Sequence, residues 1–296
     1  MKTFGIVGLG LMGGSFAKAI KNCSIAAQPF IDGGIRILAC DKDDHVLNQA
    51  REEGIINDFF LPESVDAMLK QCDVVFICLY PKYGLDFLIS HQNSFKANSI
   101  VTDIAGIKTH LFEKLPLFTR TDVDFIPAHP MAGSEKEGYT HSSADIFKGR
   151  NYIFIPLKTT DEKNLVFLEN LAYAMGFSRT IRSDAKNHDY KIAFTSQLCH
   201  VIASVLVDSA TDTDITAFGG GSYEDLTRIA MINAPLWTEL FTENKTELLA
   251  HIEAFEKNFA HFKQLLQNND SQNMQSLLQN VRKKRIEMNK GNISKK

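Results

Sequence analysis

The sequence predicts an α/β domain with a parallel sheet over residues 1–182, followed by an all-α helical bundle over residues 183–296. Two observations support this prediction. Up to residue 182, short apolar runs alternate with helical patterns, which implies parallel strands joined by right-handed crossovers. From Ser183 onward the strand patterns stop, and long stretches with helical spacing of apolar residues follow. We therefore place the domain boundary between residues 182 and 183.

The composition is that of an ordinary globular protein. The chain has 296 residues, of which 44% are hydrophobic and 23% are charged, and this length allows two domains with a sizeable core in each. Its net charge of −3 does not favour a nucleic acid partner. The five cysteines are scattered without a C-x-x-C pair, and the nine histidines show no ligand spacing. We expect buried thiols in a reducing compartment and no metal site.

The N-terminus imitates a secretory signal, because Lys2 precedes an apolar run and Ala17 and Ala19 imitate a cleavage site. The same run carries five glycines with the spacing of a phosphate-binding loop, so we reject that interpretation. No stretch approaches roughly 18 uninterrupted apolar residues, the minimum for a membrane span. We expect a cytoplasmic protein that does not cross a membrane.

A glycine-rich turn links the first strand, residues 4–7, to the first helix. Gly8 permits a tight turn, Gly10 allows a pyrophosphate to approach the backbone, and Gly13 allows the helix to pack on the strand. The N–H groups and the dipole of the helix N-terminus favour phosphate binding. The alternative is a glycine-rich turn in an ordinary α/β domain. The context favours a dinucleotide-binding domain of the Rossmann type, and we expect the cofactor at Gly8, Gly10, Leu11, Met12 and Gly13.

The second predicted strand, residues 35–41, ends in Asp41. A carboxylate in this place binds the ribose hydroxyls of the adenosine and repels a 2′-phosphate. Asp41 therefore favours NAD over NADP, although the positive charge of Lys42 weakens that preference. Alternatively, Asp41 is the N-cap of the helix that follows.

Further strands are predicted at residues 73–79, 99–103, 124–128, 151–155 and 179–182. Ligands of parallel α/β sheets bind beyond the carboxyl ends of the strands, so the residues that follow each strand are candidates for the site. Functional groups follow two of these strands, at residues 103–108 and 129–135.

The second of these segments begins with His129, whose backbone Pro130 restricts to extended geometry. Ser134 and Glu135 add a hydroxyl and a carboxylate. An imidazole beside a nicotinamide is a natural general base, active above about pH 6.5 when its environment does not perturb it. The alternative is a hydrogen-bonded histidine without a chemical role.

The helical domain contains two further candidates. His200 lies in a stripe of small polar residues on a helix predicted over residues 184–208, where it faces either a wet pocket or solvent. Arg228 follows a run of three glycines, and its planar guanidinium suits binding of a carboxylate. Alternatively, Arg228 forms a surface ion pair with Glu224, four residues earlier. Apolar residues at heptad-like spacing over 248–266 and 274–281 predict helices that pack together and contact a second subunit.

Taken in order, these motifs resemble the prephenate dehydrogenase family and its arogenate dehydrogenase relatives over nearly the whole chain. The segments 129–135 and 225–230 are the most specific. The resemblance implies NAD-dependent oxidative decarboxylation of prephenate to 4-hydroxyphenylpyruvate and CO2 in tyrosine biosynthesis, by a homodimer assembled through the helical domain. It further implies that His129 accepts a hydrogen bond from the ring hydroxyl, that Arg228 binds a substrate carboxylate, and that His200, Ser134 and Glu135 line the pocket.

The sequence departs from the family at Gly106, where the family often has a serine that bridges the histidine and the substrate. Arogenate, which differs from prephenate in its side chain, remains an alternative substrate. A dehydrogenase of β-hydroxy acids would use a lysine of the helical domain, and Lys191 is the nearest candidate. A third alternative is a sensor that binds NAD without turnover.

Overall fold

A computed structural model describes residues 1–23 and 31–293 of the chain. Its main sheet has six parallel strands in the order β3-β2-β1-β4-β5-β6. The strands are β1 (Lys2–Val7), β2 (Ile35–Cys40), β3 (Asp58–Phe60), β4 (Val74–Ile77), β5 (Ile100–Asp103) and β6 (Asp124–Phe125).

The central strands of this sheet are apolar and buried. β1 pairs with β2 on one side and with β4 on the other, so the strand order reverses direction at β1. All four residues of β4 are buried, which explains its uninterrupted run of hydrophobic side chains. In such a fold the ligand crevice lies beyond the carboxyl ends of β1 and β4.

A second sheet of three strands carries the segment around His129. It consists of β7 (Ala128–Pro130), β8 (Asn151–Phe154) and β9 (Arg179–Arg182), with β7 antiparallel to β8 and β8 parallel to β9. A single strand over residues 124–128 was expected, and this expectation is wrong. Pro127 has no N–H with which to continue the ladder, and after it the chain pairs with β8 instead.

The helices that accompany the sheets, and those of the C-terminal part, account for most of the remaining described chain. They are α1 (Leu11–Asn22), α2 (Asp44–Glu52), α3 (Val65–Leu69), α4 (Pro81–Ser90), α5 (Thr109–Lys114), α6 (Glu162–Ala174), α7 (Ala185–Ile192), α8 (Leu198–Asp208), α9 (Gly221–Thr227), α10 (Ala234–Glu243), α11 (Lys245–Gln267) and α12 (Ser271–Ile293).

Helices α7 and α8 form one continuous helical segment, Ala185–Asp208, as the sequence predicts. A π-helical turn, Ala193–Gln197, interrupts its regular winding. The side chain of Gln197 donates to the carbonyl oxygen of Leu240 on α10 at 2.7 Å, which fixes the turn against its neighbour. By length and composition this segment could cross a membrane, a property shared by core helices of globular proteins.

Helix α11 ends and helix α12 begins where the sequence predicts a break. Asn269 adopts a left-handed backbone with φ of 51°, which separates the two helices. The heptad-like stripe of α11 is only partly covered within one chain. Leu248 is buried, whereas Phe259 remains 65% exposed. One copy of the chain therefore leaves an apolar surface on this helix.

Candidate active site

The glycine turn after β1 is closely packed in a way that only glycine permits. Gly8 has a φ of +87°, and a Cβ there would lie 2.8 Å from the carbonyl oxygen of Cys78, the residue that follows β4. A Cβ at Gly13 would lie 1.8 Å from the carbonyl oxygen of Gly8. A side chain at Gly13 would push α1 away from β1, and one at Gly8 would clash with the residues that follow β4.

The same turn leaves the N-terminus of α1 open. Gly10 is the N-cap residue and has no side chain with which to occupy the first N–H groups of the helix. A Cβ at Gly10 would meet no described atom within 4 Å. The described first turn of α1, including Leu11 and Met12, contains no acidic residue. Free N–H groups and an uncompensated dipole therefore fit a phosphate group at this point.

Asp41 follows β2 and contacts the turn directly. Its Oδ2 accepts a hydrogen bond from the N–H of Leu9 at 2.6 Å, and its Oδ1 accepts from the N–H of Asp43 at 3.0 Å. The N-cap of α2 is Asp43, whose carboxylate accepts from the N–H groups of His45 and Val46. The alternative role of Asp41 as the helix cap is therefore wrong. Its carboxylate is held beside the phosphate-binding turn and remains partly exposed.

A buried ion pair links β5 to the helix that follows it. The ammonium of Lys108, completely buried, lies 2.5 Å from Oδ2 of Asp103. The second carboxylate oxygen of Asp103 accepts a hydrogen bond from the N–H of Ala128 at 3.1 Å. Asp103 therefore connects the main sheet to the start of β7, the strand that contains His129.

His129 is the first member of a buried hydrogen-bonded chain. Its Nδ1 lies 3.0 Å from Nε2 of His188, and Nδ1 of His188 lies 2.6 Å from Oδ1 of Asp189. His188 is 2% exposed and Asp189 is 1% exposed. The carboxylate of Asp189 also accepts hydrogen bonds from the backbone N–H groups of Lys108 and Thr109.

These surroundings determine the charges of His129 and Asp189 within the hydrogen-bonded chain. Burial opposes ionisation of Asp189, but hydrogen bonds from His188 and Thr109 hold its pKa below the usual value. Burial lowers the pKa of His129 well below 6.5, and a positive charge on His188 or on Lys108 would lower it further. His129 is thus neutral at physiological pH and able to accept a proton.

The second ring nitrogen of His129 faces the space beside Gly106. A Cβ at Gly106 would lie 3.7 Å from Nε2 of His129 and 3.2 Å from Cδ2 of Leu240 on α10. Nε2 of His129 thus lies between the loop after β5 and a helix of the C-terminal part. Gly106 itself offers no hydroxyl to Nε2.

Arg228 pairs with a residue far away in the sequence. Its guanidinium lies 3.3 Å from Oε2 of Glu135, in the loop after β7. Among the described residues this is its ion-pair partner, so the alternative of a surface pair with Glu224 is wrong. The side chain of Arg228 is 58% exposed and that of Glu135 is 28% exposed. Ser134, in the same loop, is exposed and accepts from the N–H of Lys136 at 3.2 Å.

His200 is partly buried against an aromatic ring rather than fully solvated. Its ring lies on the indole of Trp237, with 3.6 Å between the ring centres, and its Nδ1 donates to the carbonyl oxygen of Ser196 at 2.9 Å. Burial lowers the pKa of His200, the hydrogen bond to Ser196 opposes this, and the positive charge of Arg228 lowers it further. The alternative of a fully solvated face is therefore wrong at this residue.

The structure brings the sequence candidates into three groups: the glycine turn with Asp41, the His129 chain, and the Arg228 pair with the loop that contains Ser134. Sequence reasoning missed His188, Asp189 and Trp237. The signal for the first two was an adjacent histidine and aspartate in the first turns of a predicted helix. Over the described ranges, 1–23 and 31–293, no group of three or more potential ligands is placed to hold a metal ion.

A parallel sheet with a glycine turn at its switch point, together with a neutral imidazole in a neighbouring pocket, defines a class of protein: the nucleotide-binding dehydrogenases. The comparison with family models is more specific. The prephenate dehydrogenase nucleotide-binding domain matches residues 32–178, and the prephenate dehydrogenase dimerization domain matches residues 184–280. A prephenate dehydrogenase of Lactococcus lactis is 30% identical over 98% of this chain and 79% of its own length. The chain belongs to the prephenate dehydrogenase family.

Other similar proteins carry related names. A cyclohexadienyl dehydrogenase of Zymomonas mobilis is 26% identical over 86% of this chain and 85% of its own length. The crystal structure of Aquifex aeolicus prephenate dehydrogenase with hydroxyphenyl propionate and NAD+ has a TM-score of 0.83 and 27% identity, covering 97% of this chain and 98% of that one. An arogenate dehydrogenase of Synechocystis, at 22% identity and a TM-score of 0.77 over 97% and 99% of the two chains, shares the fold.

Proposed function

We propose that this protein oxidises and decarboxylates prephenate to 4-hydroxyphenylpyruvate and CO2. It is an NAD-dependent dehydrogenase. The observation that most supports the choice of reaction is the position of His129, whose Nε2 lies beside Gly106 and whose pKa is lowered by burial, so that the ring is neutral. An oxidation of an alcohol needs a group that accepts the hydroxyl proton while the hydride leaves, and a neutral imidazole performs this task.

The cofactor is NAD. Its pyrophosphate would bind to the N–H groups at the start of α1, beside Gly8, Gly10 and Gly13. The carboxylate of Asp41 would bind the ribose hydroxyls of the adenosine and would repel the 2′-phosphate of NADP. Bound NAD supplies the acceptor for the hydride.

Residues on both sides of the pocket would hold the substrate. His129 would accept the hydrogen bond and then the proton of the ring hydroxyl at Nε2. Arg228 would bind a carboxylate of prephenate, and its contact with Glu135 would break when the substrate binds. His200, Ser134 and Glu135 would complete the pocket. Loss of CO2 makes the ring aromatic, so the residues have mainly to position the substrate.

The protein would act as a cytoplasmic homodimer with a dinucleotide-binding domain at residues 1–182 and a helical domain at residues 183–296. The exposed apolar residues of the helical domain support a dimer contact there, among them Phe255, Phe259, Leu278 and Val281. Sedimentation at several protein concentrations would test this contact, since a monomer at all concentrations would contradict it.

Nicotinamide reduction by the purified protein tests the proposed reaction. Prephenate and arogenate would each be offered with NAD and with NADP. We expect turnover of prephenate with NAD. Turnover of arogenate alone would identify it as the substrate while leaving the site residues as proposed. Absence of turnover in all four pairs, together with measurable NAD binding, would favour a sensor.

A further inference from the structure

We propose that His188 and Asp189 are positioning residues that fix the tautomer of His129, so that its Nε2 is the atom without a proton. The inference rests on the proposed function for the identity of the reacting hydroxyl. The tautomer itself is a property of the folded chain and can be measured without substrate.

The carboxylate of Asp189 fixes the proton of His188. An ionised carboxylate has only acceptors, and this one is surrounded by donors: the backbone N–H groups of Lys108 and Thr109, at 3.0 and 2.7 Å, and the ring of His188. A ring nitrogen at 2.6 Å from such an oxygen must carry a hydrogen, because two lone pairs would otherwise face each other. Nδ1 of His188 is therefore protonated.

The other nitrogen of His188 is an acceptor. The ring is 2% exposed, and burial lowers its pKa by more than the hydrogen bond and the charge of Asp189 raise it, so the ring is neutral and its Nε2 has a lone pair. This lone pair faces Nδ1 of His129 at 3.0 Å. His129 must then donate from Nδ1, which leaves Nε2 without a proton. A charged His188 would reverse this bond and place a second cation beside buried Lys108.

The same arrangement stabilises the state after proton transfer. The charges of Asp103 and Lys108 compensate each other in their ion pair. The carboxylate of Asp189 is then the remaining charge of the cluster while both imidazoles are neutral. When His129 accepts a proton, its positive charge is balanced by Asp189 through His188, in the way that an orienting carboxylate stabilises an imidazolium.

Two substitutions of His188 separate this role from a structural one. In His188→Gln a side-chain carbonyl oxygen can still accept from Nδ1 of His129, whereas His188→Leu removes the acceptor. We expect His188→Leu to lower kcat by about 10²–10⁴-fold, the range for loss of an oriented base, with little change in KM. The kcat of His188→Gln should be at least about tenfold higher than that of His188→Leu, since the tautomer of His129 is retained.

The control is a second histidine–aspartate pair outside the site. His91 contacts Asp66 through Nδ1 at 2.7 Å on a partly exposed surface, and His91→Gln should leave kcat unchanged. Thermal unfolding and NAD binding of each variant would show that the fold is intact. Equal kcat values for His188→Leu and His188→Gln, at intact fold, would overturn the proposal.

Imidazole ¹⁵N NMR of the histidine-labelled protein provides the direct measurement, with the signals of His129 assigned from a His129→Asn sample. We expect a protonated Nδ1 and an unprotonated Nε2 in the wild type, and a mixture of tautomers in His188→Leu. A protonated Nε2 in the wild type would overturn the proposal. If the wild type fails to oxidise prephenate but shows the expected spectrum, the proposed function is wrong and the positioning role stands.

Discussion

Replacing Lys108 with methionine would leave a carboxylate buried without its cation. Lys108 is 0% exposed and Asp103 is 7% exposed, with 2.5 Å between the ammonium and Oδ2. Methionine has a similar length, so the substitution removes the charge and leaves little empty volume. Breaking a buried ion pair from one side costs about 3–5 kcal/mol, because the remaining charge is not compensated. For a domain of this size that corresponds to a fall in Tm of roughly 6–20 °C.

The assay is thermal unfolding followed by circular dichroism, with a matched control and a double variant. Lys96→Met breaks the exposed pair with Asp73, where the side chains are 46% and 27% exposed, and should cost no more than about 1 kcal/mol. Adding Asp103→Asn to Lys108→Met removes the uncompensated charge and should restore part of the lost Tm, because the amide keeps one acceptor oxygen for the N–H groups of Ala105 and Ala128. Two outcomes would contradict an uncompensated buried charge at Asp103. One is that Lys108→Met lowers Tm no more than Lys96→Met, and the other is that the double variant is less stable than Lys108→Met alone.

Three further predictions concern activity. His129→Asn should lower kcat by about 10²–10⁴-fold, and an unchanged steady-state rate would remove His129 from the mechanism. Because burial, His188 and Lys108 lower the pKa of His129, the wild-type kcat/KM should stay constant as the pH falls through about 6.5 and decline only at lower pH. A decline centred at or above this value in a pH–rate profile would contradict that assignment. Arg228→Ala should weaken prephenate binding by about 1.5–3 kcal/mol, the range for hydrogen bonds to charged groups. Titration calorimetry would measure the affinity, and an unchanged value would show that Arg228 does not bind the substrate.

Local sequence signals were sufficient for the fold class and for the glycine turn. The alternation of apolar runs with helical patterns depends on neighbouring residues, and so do the positions of Gly8 and Gly13. The sequence also predicted the break between the two long helices near Asn269. The short strand β3 was missed, because three residues with partial burial give no periodic pattern.

The interior of the candidate site could not be predicted in the same way. His129 and His188 are 59 positions apart, and their contact depends on a strand of the second sheet and a helix of the C-terminal part. The alternative pair of Arg228 with Glu224 considered only neighbours on one helix. In the structure the N–H of Arg228 still bonds to the carbonyl oxygen of Glu224, but its guanidinium lies against Glu135, 93 positions away in the sequence. Tertiary contacts determine both pairs.

The π-helical turn Ala193–Gln197 sets the angular relation between two histidines of one helix. In a regular α-helix, residues 188 and 200 would project about 120° apart, since each residue adds about 100°. One additional residue in the turn reduces this difference to roughly 20°. A single helix can therefore direct His188 towards the base and His200 towards Trp237 from nearly the same side. The inserted residue changes the direction in which the later side chains of the helix project. One helix thereby places His188 against His129 and His200 against Trp237.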